Sequence, residues 1–385
     1  MSLGMIGIES YEFVVANLAR SRQFYVDRLD FREVARSTAD AAQVTGEESV
    51  VFRAGKIQVQ CSTPLNQHSR AAKYLAWHPD GISRLTFRVK DLDHTWRELE
   101  RRHATFLADP VEQAGNGGTH RSFAIATALG DVQFAFVERH DFDGFGPGFT
   151  DLTPSDEGNR FQLLAVDHVT MNLLTLEPWV TWLRDVLGFE QFWEVQFHTE
   201  DVRKGTGGSG LKSLVFRDPD CNVKFAANEP LKPNFHASQI SKFVQDHRGA
   251  GVQHVAFITP GIIPAVAGLK ERGLRFLTTP ATYYQALPKR FSQVGLSMKT
   301  IKEPLDELER LGVQVDGANE RYMLQIFMQE GGLLYGDPMA GPFFYEIIQR
   351  AGDPGFGYGN FRALFEAIER DQTARTEPLL PSPAA

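Results

Sequence analysis

The sequence predicts an α+β fold in which four βαβββ units pair into two cupped sheets. Two observations support this fold. The two halves of the 385-residue chain repeat each other, and each half contains two copies of an apolar strand followed by a helix and several further strands. Apolar residues make up 42% of the chain and charged residues 23%, which is the composition of a soluble globular protein.

Each of the four copies opens on a short apolar strand. In the first half we predict these strands at Ser10–Leu18 and Gly81–Val89, and in the second half at Val166–Leu173 and Val252–Thr259. A glycine-rich turn precedes the last of them, at residues 248–251. The regular recurrence of this strand is the first sign of the repeat.

Helices and closing strands recur at matching places in the two halves. The amphipathic helix at residues 24–31 corresponds to residues 182–189, and each ends before a strand. A second helix and its exit turn, at 98–110, correspond to 268–280, and the closing strand at 132–139 corresponds to 343–350. These matches complete the four βαβββ units.

The boundary between the halves is predicted where Gly, Pro, Asp and Ser cluster without apolar periodicity, at about residues 142–160. We therefore divide the chain into a domain at 1–150 and a domain at 151–385. Past residue 351 the glycines become dense, and an amphipathic helix is predicted at about 360–370. This helix either covers a sheet edge or acts as a lid hinged on the glycines. The last residues, 372–385, are predicted to be disordered.

Charge and composition exclude several classes of partner. The formal net charge of −8 argues against binding to nucleic acid and to anionic membranes. The first residues lack the pattern of a signal peptide, and no apolar run is long enough to span a membrane. Cys61 and Cys221 are too few for a disulfide framework. We expect a cytoplasmic protein.

Three apolar strands each carry one residue that could bind a metal ion. His168 and His254 stand at the centres of two strands, and Glu346 lies in a third. One such His alone is more often a satisfied core residue, but a buried carboxylate needs a cation or a proton. Two neutral imidazoles and one carboxylate form the facial triad of non-haem Fe(II) oxygenases, which leaves coordination positions open. We predict that His168, His254 and Glu346 bind Fe(II).

The repeat provides an internal control for this prediction. By the sequence alignment of the halves, the first half has Phe13, Arg84 and Ala135 where the second has the three candidate ligands. Residues that served only the fold could persist in both halves. The sequence therefore predicts a metal site in the C-terminal domain and a metal-free N-terminal domain.

Three segments carry a resemblance to a known family: GVQHVAF at residues 251–257, FYEIIQR at 344–350 and GFGYGNFRALFEAIER at 355–370. In these segments, and more weakly over nearly the whole chain, the sequence resembles the 4-hydroxyphenylpyruvate dioxygenases. The resemblance implies two vicinal-oxygen-chelate domains with a C-terminal lid helix, Fe(II) as cofactor, and O2 and a small aromatic 2-oxo acid as substrates. It implies that 4-hydroxyphenylpyruvate becomes homogentisate and CO2, a step of tyrosine catabolism. We also expect a homo-oligomer.

The resemblance further implies a substrate pocket. Alternation along residues 322–327 places Gln325 and Phe327 on one face, but it predicts that Gln253 points away from the face of His254. Ala226, where the family usually has Pro, and a long connection at 328–342 depart from the family pattern. We expect Asn228, Gln325 and Phe361 to direct the reaction. Family positions that line the pocket correspond to Ser213, Asn228, Gln239, Gln253, Gln325, Phe327, Phe356 and Phe361.

Three alternatives remain open from the sequence. Hydroxymandelate synthases oxidise the benzylic carbon of the same substrate, but they carry aliphatic residues where this chain has Asn228 and Phe361. Extradiol catechol dioxygenases lack the pattern of Gln325 and of the C-terminal helix. The third alternative is a catalytically silent binding protein on the same scaffold. We expect His68, His78 and His236 to be surface residues without a role in metal binding.

Overall fold

The computed structural model describes residues 2–115, 117–156, 158–198, 209–357 and 359–360. Phe361, the predicted lid helix at 360–370 and the predicted disordered tail at 372–385 lie outside the described residues, except for Asn360.

Strands of the first half form one mixed sheet. Its order is β6-β7-β8-β5-β1-β4-β3-β2-β9, so β1 and β5, the first strands of the two units, lie side by side and antiparallel at its centre. Within the described residues the sheet has nine strands: β1 (Met5–Val14), β2 (Arg32–Ser37), β3 (Glu47–Ala54), β4 (Ile57–Pro64), β5 (Gly81–Val89), β6 (Val111–Gly115), β7 (Gly118–Ala126), β8 (Gln133–His140) and β9 (Phe149–Asp151).

The second half repeats this arrangement. The order of its sheet is β11-β12-β13-β10-β14-β17-β16-β15, with the two unit-opening strands β10 and β14 again antiparallel neighbours at the centre. The part of the chain that the structure describes contributes eight strands here: β10 (Ala165–Asn172), β11 (Glu190–His198), β12 (Gly210–Arg217), β13 (Lys224–Leu231), β14 (Gly251–Ile258), β15 (Gln314–Ala318), β16 (Arg321–Phe327) and β17 (Phe344–Ala351).

Helices connect the strands of each unit. The first helix of each half continues into a π-helical segment, at Gln23–Arg28 and at Leu183–Leu187. A long connection before β17 contains a short helix and a 3₁₀ turn at Pro338–Ala340. The α-helices are α1 (Leu18–Arg22), α2 (Ala39–Thr45), α3 (Arg70–Trp77), α4 (Leu92–Arg101), α5 (Glu177–Trp182), α6 (Gln239–His247), α7 (Ile262–Glu271), α8 (Ala281–Gln293), α9 (Leu305–Leu311) and α10 (Gly331–Tyr335).

The predicted α+β fold of two cupped sheets built from paired βαβββ units is confirmed. One strand differs in position, because β1 runs from Met5 to Val14 where the sequence predicted 10–18. The reason is a cap: the Asn17 side chain accepts a hydrogen bond from Arg20 N at 3.0 Å, so the chain enters helix α1 at residue 18.

The two halves share one apolar core. Ring centroids of Phe87 and Phe134 lie 6.2 Å and 5.6 Å from that of Phe225, and Phe31 lies 5.9 Å from Phe257. Because successive side chains of a strand point to opposite faces, the face of each sheet that lies away from this core carries a different set of residues. In β10, for example, Val169 enters the core while the neighbouring His168 does not. None of the helices within the described ranges is both long and apolar enough to span a membrane.

Candidate metal centre and its cavity

Three adjacent strands bring His168, His254 and Glu346 together. In the register of the sheet, His168 lies opposite Ala256, and Ala256 lies opposite Glu346. His168 Nε2 is 3.2 Å from Glu346 Oε2, and His254 Nε2 is 3.4 Å from the same oxygen. All three side chains are buried, and their potential ligand atoms lie within 4.8 Å of one another. The sequence prediction that these residues form one cluster is therefore consistent with the structure.

The outer nitrogen of each imidazole has a partner that orients the ring. His168 Nδ1 lies 2.9 Å from Asp167 Oδ1, and His254 Nδ1 lies 3.1 Å from Gln253 Oε1. Both partners are acceptors, so these contacts assign the proton to Nδ1 and leave a lone pair on Nε2. Two lone pairs then face a carboxylate, an arrangement that repels unless a cation lies among them.

A buried oxygen supports the fit to a metal ion. Glu346 Oε1 has no hydrogen-bond partner among the described residues, although Glu346 is almost fully buried. Two imidazoles and one carboxylate are the donor set of non-haem iron sites, and such a set leaves coordination positions open. A metal ion satisfies the orphaned oxygen and both Nε2 lone pairs at once.

Electrostatics at the cluster favour positive charge. Burial alone would raise the pKa of Glu346, but the attraction and hydrogen bonds of His168 and His254 together lower it, which favours the anion. Burial lowers the pKa of His254, which keeps that ring neutral. For His168 burial acts in the same direction, yet the carboxylates of Glu346 and Asp167 raise its pKa. The cluster therefore favours a positive charge beside Glu346, which a proton on His168 or a bound metal ion supplies.

Two β-bulges explain why neighbouring residues act together. Between β10 and β14 the register shifts at Asp167 and again at Gln253, so each is an extra residue with no cross-strand partner. Regular alternation would turn Gln253 away from the face of His254, as the sequence analysis stated. The bulge instead lets both side chains reach the same cavity. Asp167, which the sequence analysis missed, could have been suspected as an acidic residue next to a strand His.

The cluster lies at the wall of a cavity with about 470 Å³ of space that no protein atom fills, part of which is open to solvent. Arg350 and Thr170 are lining residues that sequence reasoning missed, together with the apolar Leu211, Met323 and Ile348. No motif in the sequence marked these positions as part of a pocket. Six residues that the sequence analysis predicted also line it: Asn228, Gln239, Gln253, Gln325, Phe327 and Phe356.

Ser213 is the predicted pocket residue that does not contribute to this lining. It lies directly across from Asn228 in the pairing of β12 and β13. Its hydroxyl and Asn228 Oδ1 are both buried and without a hydrogen-bond partner in the described part of the chain. Unpaired buried polar atoms are costly, so among the described residues this wall has two polar atoms free to bind another polar group.

Other amides of the cavity are already engaged. Gln253 Nε2 donates to Gln239 Oε1 at 3.3 Å, which extends the chain of contacts from His254 to helix α6. Gln325 Oε1 accepts from Asn360 Nδ2 at 3.2 Å. These contacts hold Gln253, Gln239 and Gln325 in fixed orientations, which prepares the polar wall before any ligand arrives.

Aromatic rings enclose the two imidazoles. Phe344 stacks on His254 with ring centroids 4.9 Å apart, and Phe327 meets His254 edge-on at 6.0 Å. Phe356 meets His168 edge-on at 4.7 Å. These contacts fix the imidazole planes and surround the cluster with apolar surface.

The register corrects one assignment in the first half. Ser10 lies opposite Thr86, which lies opposite Ala135, just as His168, Ala256 and Glu346 are related. The counterpart of His168 is therefore Ser10 and not Phe13 as predicted. The error arose because the sequence analysis began the first strand at Ser10 and aligned that residue with the start of β10. In the structure β1 already begins at Met5. Arg84 and Ala135 are the correct counterparts of the other two ligands.

The equivalent space of the first half holds charged side chains of its own. Glu12 accepts from Ser62 Oγ at 2.7 Å and pairs with Arg70, and Arg84 Nη1 lies 3.7 Å from Glu12 Oε2. Guanidinium groups thus supply positive charge where the second half would need a metal ion. Among the described residues, the cluster of His168, His254 and Glu346 is the single group suited to a metal.

Comparisons with known proteins agree with this architecture. The model of the glyoxalase/bleomycin resistance protein/dioxygenase superfamily matches residues 7–130 and 165–304. A 4-hydroxyphenylpyruvate dioxygenase of Dictyostelium discoideum is 34% identical over 378 residues, covering 96% of this chain and 99% of that protein. One from Caenorhabditis briggsae is 33% identical, covering 96% and 93%.

Among solved structures, a triple mutant of 4-hydroxymandelate synthase from Streptomyces coelicolor is 25% identical, with a TM-score of 0.78 and coverage of 96% of this chain and 99% of that one. The full-length similarity to the curated relatives, the repeated βαβββ units and the buried His-His-Glu cluster all agree. The chain belongs to the 4-hydroxyphenylpyruvate dioxygenase family, within the glyoxalase/bleomycin resistance protein/dioxygenase superfamily.

Proposed function

We propose that this protein is an Fe(II)-dependent dioxygenase that converts 4-hydroxyphenylpyruvate and O2 into homogentisate and CO2. The observation that carries the proposal is the buried cluster of His168, His254 and Glu346, in which one carboxylate oxygen lacks a partner among the described residues. The names of the relatives, which align with 96% of the chain, support the same reaction. The cytoplasmic location and the homo-oligomeric state expected from the sequence stay predictions.

His168, His254 and Glu346 are the Fe(II) ligands in this proposal. Structural zinc sites usually use four ligands and often cysteine, whereas three ligands of this type leave positions for substrate and oxygen. Bound there, Fe(II) supplies the activation of O2 and the oxidation of the substrate. The protein's own contribution is to orient both imidazoles through Nδ1 contacts with Asp167 and Gln253, so that each Nε2 points toward the metal position.

The walls of the cavity suit a substrate with an aromatic ring and a polar end. Phe327 and Phe356 offer apolar surface beside His254 and His168, and the substrate ring packs on them. Asn228 Oδ1 and Ser213 Oγ have no partner within the described ranges, and a phenolic hydroxyl can donate its one hydrogen to Asn228 Oδ1 while it accepts from the Ser213 hydroxyl. Gln239, Gln253 and Gln325 complete the polar lining.

The reaction balances without another co-reactant. The carboxylate of the 2-oxo acid leaves as CO2, and one oxygen atom of O2 joins the former keto carbon to form the new carboxylate. The second oxygen atom becomes a hydroxyl on the ring carbon that carried the side chain, and the side chain moves to the neighbouring carbon. Because the outcome depends on which carbon lies nearest to the oxidant, the placement of the ring decides the product.

A second candidate reaction is hydroxylation of the benzylic carbon of the same substrate. The similarity to 4-hydroxymandelate synthase in fold and sequence favours keeping this candidate. Those synthases carry an aliphatic residue at the position of Asn228. A polar Asn228 can hold the phenolic hydroxyl and with it the ring, which favours attack on the ring and therefore homogentisate.

Product analysis tests the proposal. The purified protein is stripped of metal, loaded with Fe(II) under nitrogen, and mixed with 4-hydroxyphenylpyruvate and O2. We expect homogentisate as the main product by chromatography, and no turnover without metal or with Zn(II). Hydroxymandelate as the main product would establish the second candidate, and the absence of turnover in iron-loaded protein would overturn both.

A further inference from the structure

We infer that Arg350 is a positioning residue that couples the cavity-lining segment at residues 353–356 to the metal ligand His168, by way of Asp167. The inference rests on the proposed function in one respect, namely that His168 binds the metal. Arg350 lies in the same strand as Glu346 and reaches the cavity wall. It is connected to His168 through one carboxylate.

The first half of the link is a bidentate ion pair. Arg350 Nε and Nη2 lie 2.7 Å from the two oxygens of Asp167. The Asp167 side chain is 4% exposed and that of Arg350 is 12% exposed, so water screens the pair little. Lys224 Nζ is a more distant partner of Asp167, at 3.5 Å. The parallel N–H groups of the guanidinium therefore set the plane of the carboxylate.

The second contact passes this orientation to the metal centre. Asp167 Oδ1 also accepts from His168 Nδ1 at 2.9 Å. Because the guanidinium fixes the plane of the carboxylate, the Nδ1 side of the His168 ring stays directed at Asp167 and Nε2 stays aimed at the metal position. Partners of this kind typically change metal affinity about 10- to 100-fold when they are removed.

The other end of Arg350 holds the chain segment that follows β17. Its Nη1 donates to Asp353 O at 2.9 Å and to Gly355 O at 2.8 Å. Its guanidinium carbon lies 5.9 Å from the ring centroid of Phe356, and that ring meets the His168 imidazole at 4.7 Å. One guanidinium thus forms an ion pair with Asp167, hydrogen bonds with the backbone of the segment, and a cation–π contact with the ring of Phe356.

The first half contains the same arrangement without an imidazole. Arg139 stands four residues after Ala135, as Arg350 stands four after Glu346, and its Nε lies 2.8 Å from Glu9 Oε1. Arg139 also donates to Gly144 O at 2.7 Å and to Phe145 O, and it lies 5.8 Å from the ring of Phe142.

This repetition separates a structural role from a positioning role. In both halves the arginine ties the loop that follows its own strand, β8 or β17, to a carboxylate on the first strand of the half. Only in the second half is the residue after that carboxylate a histidine, since Glu9 is followed by Ser10. Holding the loop is therefore common to both arginines, and control of a metal ligand belongs to Arg350.

A matched pair of variants tests the first part of the inference. Arg350→Lys and Arg139→Lys each keep the charge but lose the planar guanidinium and its several donors, and both are expected to lower the melting temperature. The dissociation constant for Co(II) alone is measured by competition with a chelator. We expect weakening of about 10- to 100-fold in Arg350→Lys and less than about twofold in Arg139→Lys. Asp167→Asn and Glu9→Gln form a second pair, should either lysine variant fail to fold.

Hydrogen exchange tests the coupling itself. In the wild type, Co(II) is expected to slow amide exchange in residues 353–357 about tenfold, and not in residues 142–146. In Arg350→Lys this protection should disappear even when Co(II) is added to saturation. The visible spectrum of bound Co(II) should change in the same variant, because the His168 ring is no longer held at one angle.

Two results would overturn the inference. One is an unchanged Co(II) affinity in both Arg350→Lys and Asp167→Asn, and the other is an equal loss in the first-half variants. Neither readout needs turnover, so failure of the proposed reaction and failure of the coupling can be told apart. An iron-loaded enzyme that makes no homogentisate contradicts the proposed reaction. Co(II) binding that is unchanged by substitution of Arg350 contradicts the coupling.

Discussion

At the scale of single residues, the chemistry of the histidines is set by what lies on both sides of each ring. His254 has an amide acceptor at Nδ1, a carboxylate near Nε2 and a phenylalanine ring on its face. His120, in the first half, is also buried, but it belongs to no group of potential ligands among the described residues. Burial alone therefore does not distinguish a metal ligand from a structural histidine.

Replacement of His254 by Ala should remove the metal without unfolding the protein. The site lies in an apolar strand, so the change is expected to cost about 2–4 kcal/mol of unfolding free energy through the cavity it leaves. Iron content after purification and loading should fall to background, and turnover with it. His120→Ala is the matched control, with a similar loss of stability and full iron content. An iron-loaded, active His254→Ala protein contradicts the assignment.

His78 was expected at the surface, and this was wrong. It is buried with its ring stacked on His247, centroids 4.7 Å apart, and its Nδ1 lies 2.8 Å from His247 O. His247 donates from Nδ1 to Gly249 O at 3.0 Å and accepts at Nε2 from the Tyr74 hydroxyl at 3.2 Å. Helix α3 of the first half thus packs against the turn that leads into β14, which residue type alone could not reveal.

His247 makes a pH-dependent contribution to stability. Burial, followed by repulsion from His78, lowers its pKa to about 4, while Asp131 acts weakly in the opposite direction. The unfolded chain binds a proton at this residue below about pH 6.5, but the folded protein binds it only below about pH 4. Stability from this group is therefore present above about pH 6.5 and is lost as the pH falls toward 4, by up to about 3 kcal/mol.

Chemical denaturation at a series of pH values checks this prediction. The unfolding free energy of the wild type should fall between pH 6.5 and 4 more steeply than that of His247→Gln, which has no titrating group at this position. Equal slopes for the two proteins would contradict the low pKa of His247.

At the scale of elements, two β-bulges account for the part of the site that periodicity could not predict. Alternation correctly placed Gln325 with Phe327, since β16 is regular. It failed for Gln253 because a bulged residue has no cross-strand partner and its neighbours no longer alternate. Ser83 occupies the same bulge in the first half, where it accepts from Arg70 Nη1 at 2.9 Å.

Gln253→Val should weaken metal binding through the loss of the acceptor at His254 Nδ1. A buried donor without a partner costs about 1–3 kcal/mol, and metal affinity should fall about 10- to 100-fold. Ser83→Val is the control at the equivalent bulge and is expected to lower stability alone. Calorimetric titration with Co(II), together with melting curves, separates the two effects. Loss of affinity in both variants would mean that the bulges act only through the fold.

At the scale of the whole molecule, an internal repeat predicted most of the architecture. Four βαβββ units follow from strand and helix periods that recur in each half, and the three candidate ligands stood out because they occur in one half. Long-range packing was not accessible in this way. The ion pair of Arg350 with Asp167 joins residues 183 positions apart, and no local pattern of the sequence connects them. The domain boundary stays a prediction.

The asymmetry of the halves predicts one metal ion per chain. Elemental analysis of loaded protein should give about one iron per chain for the wild type and background iron for Glu346→Gln. Glu12→Gln changes a buried carboxylate of the first half that pairs with Arg70 and Arg84. It should lower the stability, because two half-buried arginines lose their counter-charge, yet keep one iron per chain. Two ions per wild-type chain contradict the metal-free first half.

The central claim is that iron held by His168, His254 and Glu346 inserts both atoms of O2 into one product of 4-hydroxyphenylpyruvate. Mass spectrometry of the products formed under ¹⁸O₂ tests it most directly. We expect homogentisate with two labelled oxygens, unlabelled CO2, and no product from Glu346→Gln. Labelled hydroxymandelate, oxygen taken up from water alone, or undiminished product from Glu346→Gln would contradict it.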